Sequence, residues 1–333
     1  MTSGAPAALA LLSLLLLGAA PLRGQFFDRA QVLDASVSGD GRLVAYTMRT
    51  PASDGNHFVD QVHLLPASGG SPELLGEGRR PAFAREGTAV ARLVTAAGHT
   101  TLVIRDAPTS PDRTITPADL DVVAYRWSPD GSSIAFAARS SASVAVRAMR
   151  AGDDNAQLAL YLAPVAGGDV RRITAADFAV GPAESELPDL IEFDWLDASR
   201  LVVSGRVPAG EESADAASLY IVDAASGSRR YLAGAGGRWH LPRVAPNGEW
   251  IAFTGQALGG AGWLPSELIV LRPDGSGLKR LTVGLDRDAL DLAWDRDSRN
   301  IWFATEDRGS RNIQRVDIRN GRIGTGTSGT HLM

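Results

Sequence analysis

The chain has 333 residues, with 33 Lys+Arg against 38 Asp+Glu for a formal charge of −5, and 44% hydrophobic residues, enough to bury a substantial core. Mild acidity without a basic run argues against nucleic acid or an anionic membrane surface as partner. With no Cys and only five scattered His, disulfides, thiolate chemistry and zinc-type spacings drop out, and neither a cofactor nor a metal is expected.

The first two dozen residues differ from all that follows. Residues 7–20, AALALLSLLLLGAA, form one apolar run, followed by Pro21-Leu22-Arg23-Gly24. Its length matches the h-region of a secretory signal peptide better than a membrane span of about 20 residues. Cleavage after a small residue near Gly24 gives a signal peptide over 1–24 and a mature domain over 25–333, periplasmic or secreted. The n-region MTSGAPA carries no charged side chain, so a retained membrane anchor or a buried helix is the competing reading.

From there a pattern recurs: an aromatic or aliphatic residue, a polar turn ending in Gly or Ser, and an alternating apolar strand. It reads VSGDGRLVAYT from Val37, FAREGTAVARL from Phe83 and WSPDGSSIAFA from Trp127. It returns as WLDASRLVVSG from Trp195, VAPNGEWIAFT from Val244 and WDRDSRNIWFA from Trp294. The leading residues are spaced 46, 44, 68, 49 and 50 apart. Four of these steps approximate a four-stranded propeller blade. The long step asks for an insertion, and SSASVAVRAMRAGDDNAQ at 140–157 has the composition for one. In the turns, Pro129 presets φ and Gly131 accepts a left-handed conformation, so the Asp and Asn residues there read as turn chemistry rather than catalytic carboxylates.

A second hairpin follows in most repeats. Leu219–Val222 turns through DAASGS into Arg229–Leu232, and Leu268–Leu271 turns through PDGSG into Leu278–Thr282. Tyr161–Ala163 returns at Arg171–Thr174, and Ile313–Asp317 turns at Asn320-Gly321, a strong hairpin signal. Two hairpins per repeat make four strands per blade, so the fold class is all-β, a β-propeller with about six blades. After residues 322–329 only Thr330–Met333 remain. The repeat thus ends in phase, and a complete six-bladed ring and an incomplete seven-bladed one both fit. A closed ring would take its closing strand from Phe26–Val32 or from the terminal segment.

The stretches WSPDGSSIAFAA, VAPNGEWIAFTG and LRPDGSGLKRLT resemble the repeats of periplasmic TolB. They equally resemble the N-terminal propeller of prolyl oligopeptidase-family serine peptidases, the acylaminoacyl peptidase and dipeptidyl peptidase IV relatives. FATEDRG at 303–309 with Ile313–Asp317 is similar to a blade of the acylaminoacyl-peptidase branch. In those peptidases an α/β-hydrolase domain following the propeller carries the Ser, Asp and His. Here there is no G-x-S-x-G elbow, because Gly326-Thr327-Ser328-Gly329 continues with Thr330 where a second Gly is required. No catalytic residue is therefore assigned. The resemblance implies a substrate-gating module, inactive alone, whose partners are a peptide substrate or a protein and the missing hydrolase domain. A free-standing TolB-like binding propeller is the alternative, although residues 25–35 leave no room for the N-terminal α/β domain of TolB.

Weak binding candidates are Glu211 and Glu212, since the dipeptidyl-peptidase branch grips a substrate amino terminus with a propeller glutamate pair. Their neighbours Pro208, Gly210 and Ser213 read as a solvated loop. Asp153-Asp154-Asn155 lacks the run of ligands that a calcium loop needs. Arg79-Arg80 and Arg171-Arg172 read as blade-rim charges. Trp127, Trp195 and Trp294 share one repeat position and read as inter-blade packing, whereas Trp239-His240 and Trp263 are placed in loops.

Overall fold

The structure, a computed structural model, describes residues 30–53, 57–140, 158–181, 191–207, 216–234, 236–258 and 264–329. It is all-β, with six antiparallel sheets arranged as a six-bladed β-propeller. Blade 1 comprises Gln31–Val37, Leu43–Pro51, Phe58–Pro66 and Glu73–Glu77. Blade 2 comprises Arg79–Phe83, Val90–Ala96, His99–Arg105 and Arg113–Thr114, and blade 3 Leu120–Trp127, Ser133–Ser140, Ala159–Pro164 and Arg171–Arg172. In blade 4 the inner strand is split into Ala179–Val180 and Phe193–Trp195, followed by Arg200–Arg206, Ser218–Asp223 and Arg229–Ala233. Blade 5 comprises Gly237–Val244, Ile251–Ala257, Glu267–Leu271 and Lys279–Arg280, and blade 6 Leu290–Trp294, Asn300–Asp307, Ser310–Asp317 and Ile323–Thr325. No helix of the described residues is long and apolar enough to cross a membrane.

The repeat turns work as their chemistry requires. Ser128 Oγ donates to Asp130 Oδ1 at 2.6 Å, which also accepts from Ser132 N at 3.1 Å. Asp40, Asp197, Asp223, Asp274 and Asp295 bond their own turns in the same way. Local hydrogen bonds of this kind hold a carboxylate in its ionised form, and the Asp40, Asp130, Asp223 and Asp274 carboxyls all lie below the usual range.

Alternating strand residues pack consecutive blades together, burying apolar clusters at five seams. Ala45, Val62 and Leu64 of blade 1 meet Phe83 and Val90 of blade 2. Leu93, Leu102 and Ile104 then meet Ile134 and Phe136 of blade 3, and Ala135 and Leu160 meet Leu201 and Val203 of blade 4. Val202, Leu219 and Ile221 meet Ile251, Phe253 and Ile269 of blade 5, whose Ala252, Leu268 and Val270 meet Ile301, Phe303 and Val316 of blade 6. Each fully buried Leu or Phe in such a cluster contributes about 1.5–3 kcal/mol.

The sequence tryptophans act at these seams. The indole N–H of Trp127 donates to Ala82 O at 2.9 Å, that of Trp195 to Arg126 O at 3.2 Å and that of Trp294 to Arg243 O at 2.9 Å. Each therefore reaches one inner strand back, satisfying a carbonyl that the sheet leaves free.

The seam between blade 6 and blade 1 is different. Among the described residues no apolar cluster joins them, and Gln31–Val37 pairs within its own blade rather than closing another. Val37 is 58% exposed and Ile313 45%, whereas Leu268, which holds the position of Ile313 in blade 5, is fully buried.

Candidate functional site

Inner strands run along the propeller axis, so a residue at a fixed repeat position from every blade faces one central space. That space is a cavity of about 980 Å³ lined by residues of all six blades. It is shaped by breaks in the inner strands. The register shifts between Val32 and Asp34, Arg79 and Ala82, His240 and Arg243, and Leu290 and Ala293, and an extra residue lies opposite Ala137/Ala138 in blade 3. In blade 4 the inner strand is interrupted between Val180 and Phe193. A bulge re-aims side chains and leaves backbone groups off the ladder. Arg80, Leu241 and Asp291 take left-handed backbone angles at these bulges, with φ of 56°, 54° and 50°, a strained geometry for residues with a Cβ.

Side chains from the preceding blade take up the displaced N–H groups. Leu241 N donates to Glu192 Oε2 at 3.1 Å, and Val244 N to Asp194 Oδ2 at 2.9 Å. Arg80 N donates to Thr47 Oγ1 at 3.2 Å, and that hydroxyl donates in turn to Asp34 Oδ1 at 2.6 Å. Tyr125 seals the wall with its hydroxyl 2.5 Å from Arg80 O and 2.7 Å from Ala91 O, and burial keeps it protonated.

The charges in the channel are of both signs. Arg80, Arg126 and Arg243 line it with Asp34, Asp194 and Asp291. Burial raises the Asp34 carboxyl, against the lowering effect of Thr47 and Arg80. Asp291 is paired with Arg311, and Asp194 accepts the Trp195 N–H at 3.0 Å in addition to that of Val244. Burial, with repulsion from Arg126, pushes the Arg243 guanidinium down to about 9. Half-buried groups of both signs, with the more exposed Asp291, thus face one polar cleft.

Several residues singled out by sequence sit elsewhere than expected. Trp239 and His240 are not in a loop but in the inner strand of blade 5, because the strand continues through its bulge instead of starting after it. Trp239 packs edge-on against Phe253 with ring centroids 5.7 Å apart. His240 is half-buried, and desolvation lowers its pKa despite the nearby Glu192 carboxylate. Arg79-Arg80 opens an inner strand and brings Arg80 to the channel rather than the rim. Arg171 does sit at the rim, donating to Ala224 O and Ala225 O of blade 4. Glu211 and Glu212, Asp153-Asp154-Asn155, Trp263, the 141–157 insertion and the 1–24 leader lie outside the described residues.

No family model and no curated protein matches the sequence. Solved structures do. The β-propeller domain of the Trilobed protease from Pyrococcus furiosus, described as having an open velcro topology, matches with a TM-score of 0.67 at 14% identity, over 91% of this chain and 85% of that one. Pyrococcus horikoshii acylaminoacyl peptidase matches at 0.66 and 13% identity over 92% of this chain and 47% of its own, so the chain spans about half the length of that enzyme. TolB from Acinetobacter baumannii matches at 0.55 and 16% identity over 85% of this chain and 63% of that one. At these identities the likeness is one of fold: the neighbours are propellers of prolyl oligopeptidase-type peptidases and of TolB.

Proposed function

We propose that the chain is the propeller portion of an exported serine peptidase of the prolyl oligopeptidase type, admitting short peptides through its channel and hydrolysing nothing by itself. The observation that carries this reading is the channel: about 980 Å³, lined from every blade, with charges of both signs, on a fold whose neighbours include peptidase propellers. A space of that size accommodates a short peptide and excludes a folded protein. The apolar run at 7–20, of signal-peptide length, supports the export part of this reading. The hydrolase domain that would use the admitted peptide is the implied partner.

Two measurements on the purified chain test this. Incubation with chromogenic peptide esters is expected to give no turnover, and robust turnover would sink the reading. Titration with N-acetylated alanine oligomers is expected to show binding of the short ones. Binding of a folded protein with none of the oligomers would instead support a TolB-like docking propeller.

A further inference from the structure

Several guanidinium groups outside the channel grip carboxylates side-on. Arg49 donates Nε and Nη2 to Asp60 at 2.7 and 2.8 Å, and Arg200 donates the same pair to Asp197 at 2.8 and 2.6 Å. Arg280 does likewise to Glu267, with both contacts at 2.5 Å. This Nε–Nη2 edge is the fork that matches a carboxylate.

Two channel arginines depart from the pattern. Arg243 uses Nη1 alone, donating to Ile191 O at 2.9 Å and Pro242 O at 2.7 Å. Those two carbonyls fix the guanidinium while its Nε–Nη2 edge carries no hydrogen bond among the described residues. Arg126 stands at the equivalent repeat position two blades back. Its Nε is buried without an acceptor, and its nearest carboxylate oxygen, Asp194 Oδ1, is 3.9 Å away. The neighbouring acids spend hydrogen bonds elsewhere: Asp194 accepts two backbone N–H groups, Asp291 is held by Arg311, and Glu192 accepts from Leu241 N through Oε2 while its Oε1 stays unbonded. Neither guanidinium makes a hydrogen bond to a carboxylate among the described residues, which leaves the Arg243 fork and the buried Arg126 Nε open to an anionic oxygen.

We propose that Arg243 and Arg126 form a carboxylate-binding site in the channel that holds the terminal carboxylate of an entering peptide. Arg243 supplies the fixed fork and Arg126 the second positive group. The inference rests on the reading of the channel as peptide-admitting, and it adds an end for the peptide to be anchored by. An anchored carboxylate would set the polarity in which a peptide lies in the channel.

Three N-acetylated tripeptides test it by calorimetric titration of the whole chain at low salt: trialanine free acid, trialanine amide, and Ala-Ala-Glu amide. The free acid is expected to bind about tenfold or more tighter than its amide, the scale of one charge-assisted bidentate contact. In Arg243→Lys, which keeps the charge and loses the fork, that ratio is expected to fall to about 1–3. Tight binding of the Glu-containing amide, lost in the same variant, would support the site but assign it to side-chain carboxylates. Equal binding of acid and amide by the unmodified chain overturns the carboxylate site while leaving the peptide-admitting channel intact. An unchanged ratio in a folded Arg243→Lys protein also overturns it. No binding of any of the three overturns both readings.

Discussion

Asp34 shows how a single residue in the channel wall trades stability for charge. Its carboxyl is raised by burial, and one hydroxyl from Thr47 and the Arg80 backbone only partly offset that. A folded-state pKa above the unfolded value means that the folded protein binds the proton more tightly. The ionised form therefore costs stability at neutral pH, and the cost fades as pH falls through the raised pKa toward the unfolded value. Asparagine at this position keeps an acceptor for the Thr47 hydroxyl and removes the charge. Asp34→Asn is expected to melt higher than the unmodified protein at neutral pH, with the gap closing at about pH 4, as followed by circular dichroism. A lower melting temperature for the variant at neutral pH would show that the charge is matched by a partner. The turn aspartates run the other way: their lowered pKa values give stability above the unfolded pKa that is lost as pH falls through the folded one.

At the scale of the element, the short turns were the most legible part of the fold and the inner strands the least. Ser128-Pro129-Asp130-Gly131 and Asn320-Gly321 name their turns outright, because only certain residues suit those backbone angles. Outer strands such as Arg171–Arg172 and Lys279–Arg280 are two residues long, too short for alternation to mark. The second hairpins of blades 1 and 2, at Phe58–Glu77 and His99–Thr114, carry no comparable Pro-Asp-Gly or Asn-Gly turn. The bulges left no periodic trace, since one extra residue simply breaks the alternation. The channel charges did leave one: Arg126, Asp194 and Arg243 each directly precede a repeat's leading residue. At spacings of 68 and 49 residues that signal is visible only once the repeats are stacked.

Two glycines separate turn conformation from close packing. Gly131 has φ of 69° with open space where a Cβ would sit, so Gly131→Ala is expected to cost only the backbone strain of about 1–2 kcal/mol. Gly255 lies on the second strand of blade 5, where a Cβ would come within 2.0 Å of Arg238 O and 2.8 Å of the Trp239 ring. Gly255→Ala must displace the inner strand beside the channel, and its loss in urea denaturation is expected to exceed that of Gly131→Ala clearly. Equal losses would mean that the blade 5 inner strand yields freely, contrary to the packing of Trp239 on Phe253.

At the scale of the molecule, the decisive asymmetry is that, among the described residues, five seams carry an apolar cluster and the sixth carries none. Ile313 and Leu268 occupy matching positions on successive blades, each on the face directed toward the next blade in the chain. Leu268 has blade 6 against it, and Ile313 has no such cluster among the described residues. Burial, rather than residue type, should then decide the cost of substitution. Leu268→Ala is expected to lose about 2–5 kcal/mol, the range for emptying a packed core site. Ile313→Glu is expected to stay within about 0.5 kcal/mol, as at an exposed surface position, in urea denaturation of the chain. A loss of several kcal/mol for Ile313→Glu would mean that blades 6 and 1 press together in solution. The small loss would instead leave the propeller with two free blade faces, held as an arc by five apolar seams rather than by a closed ring.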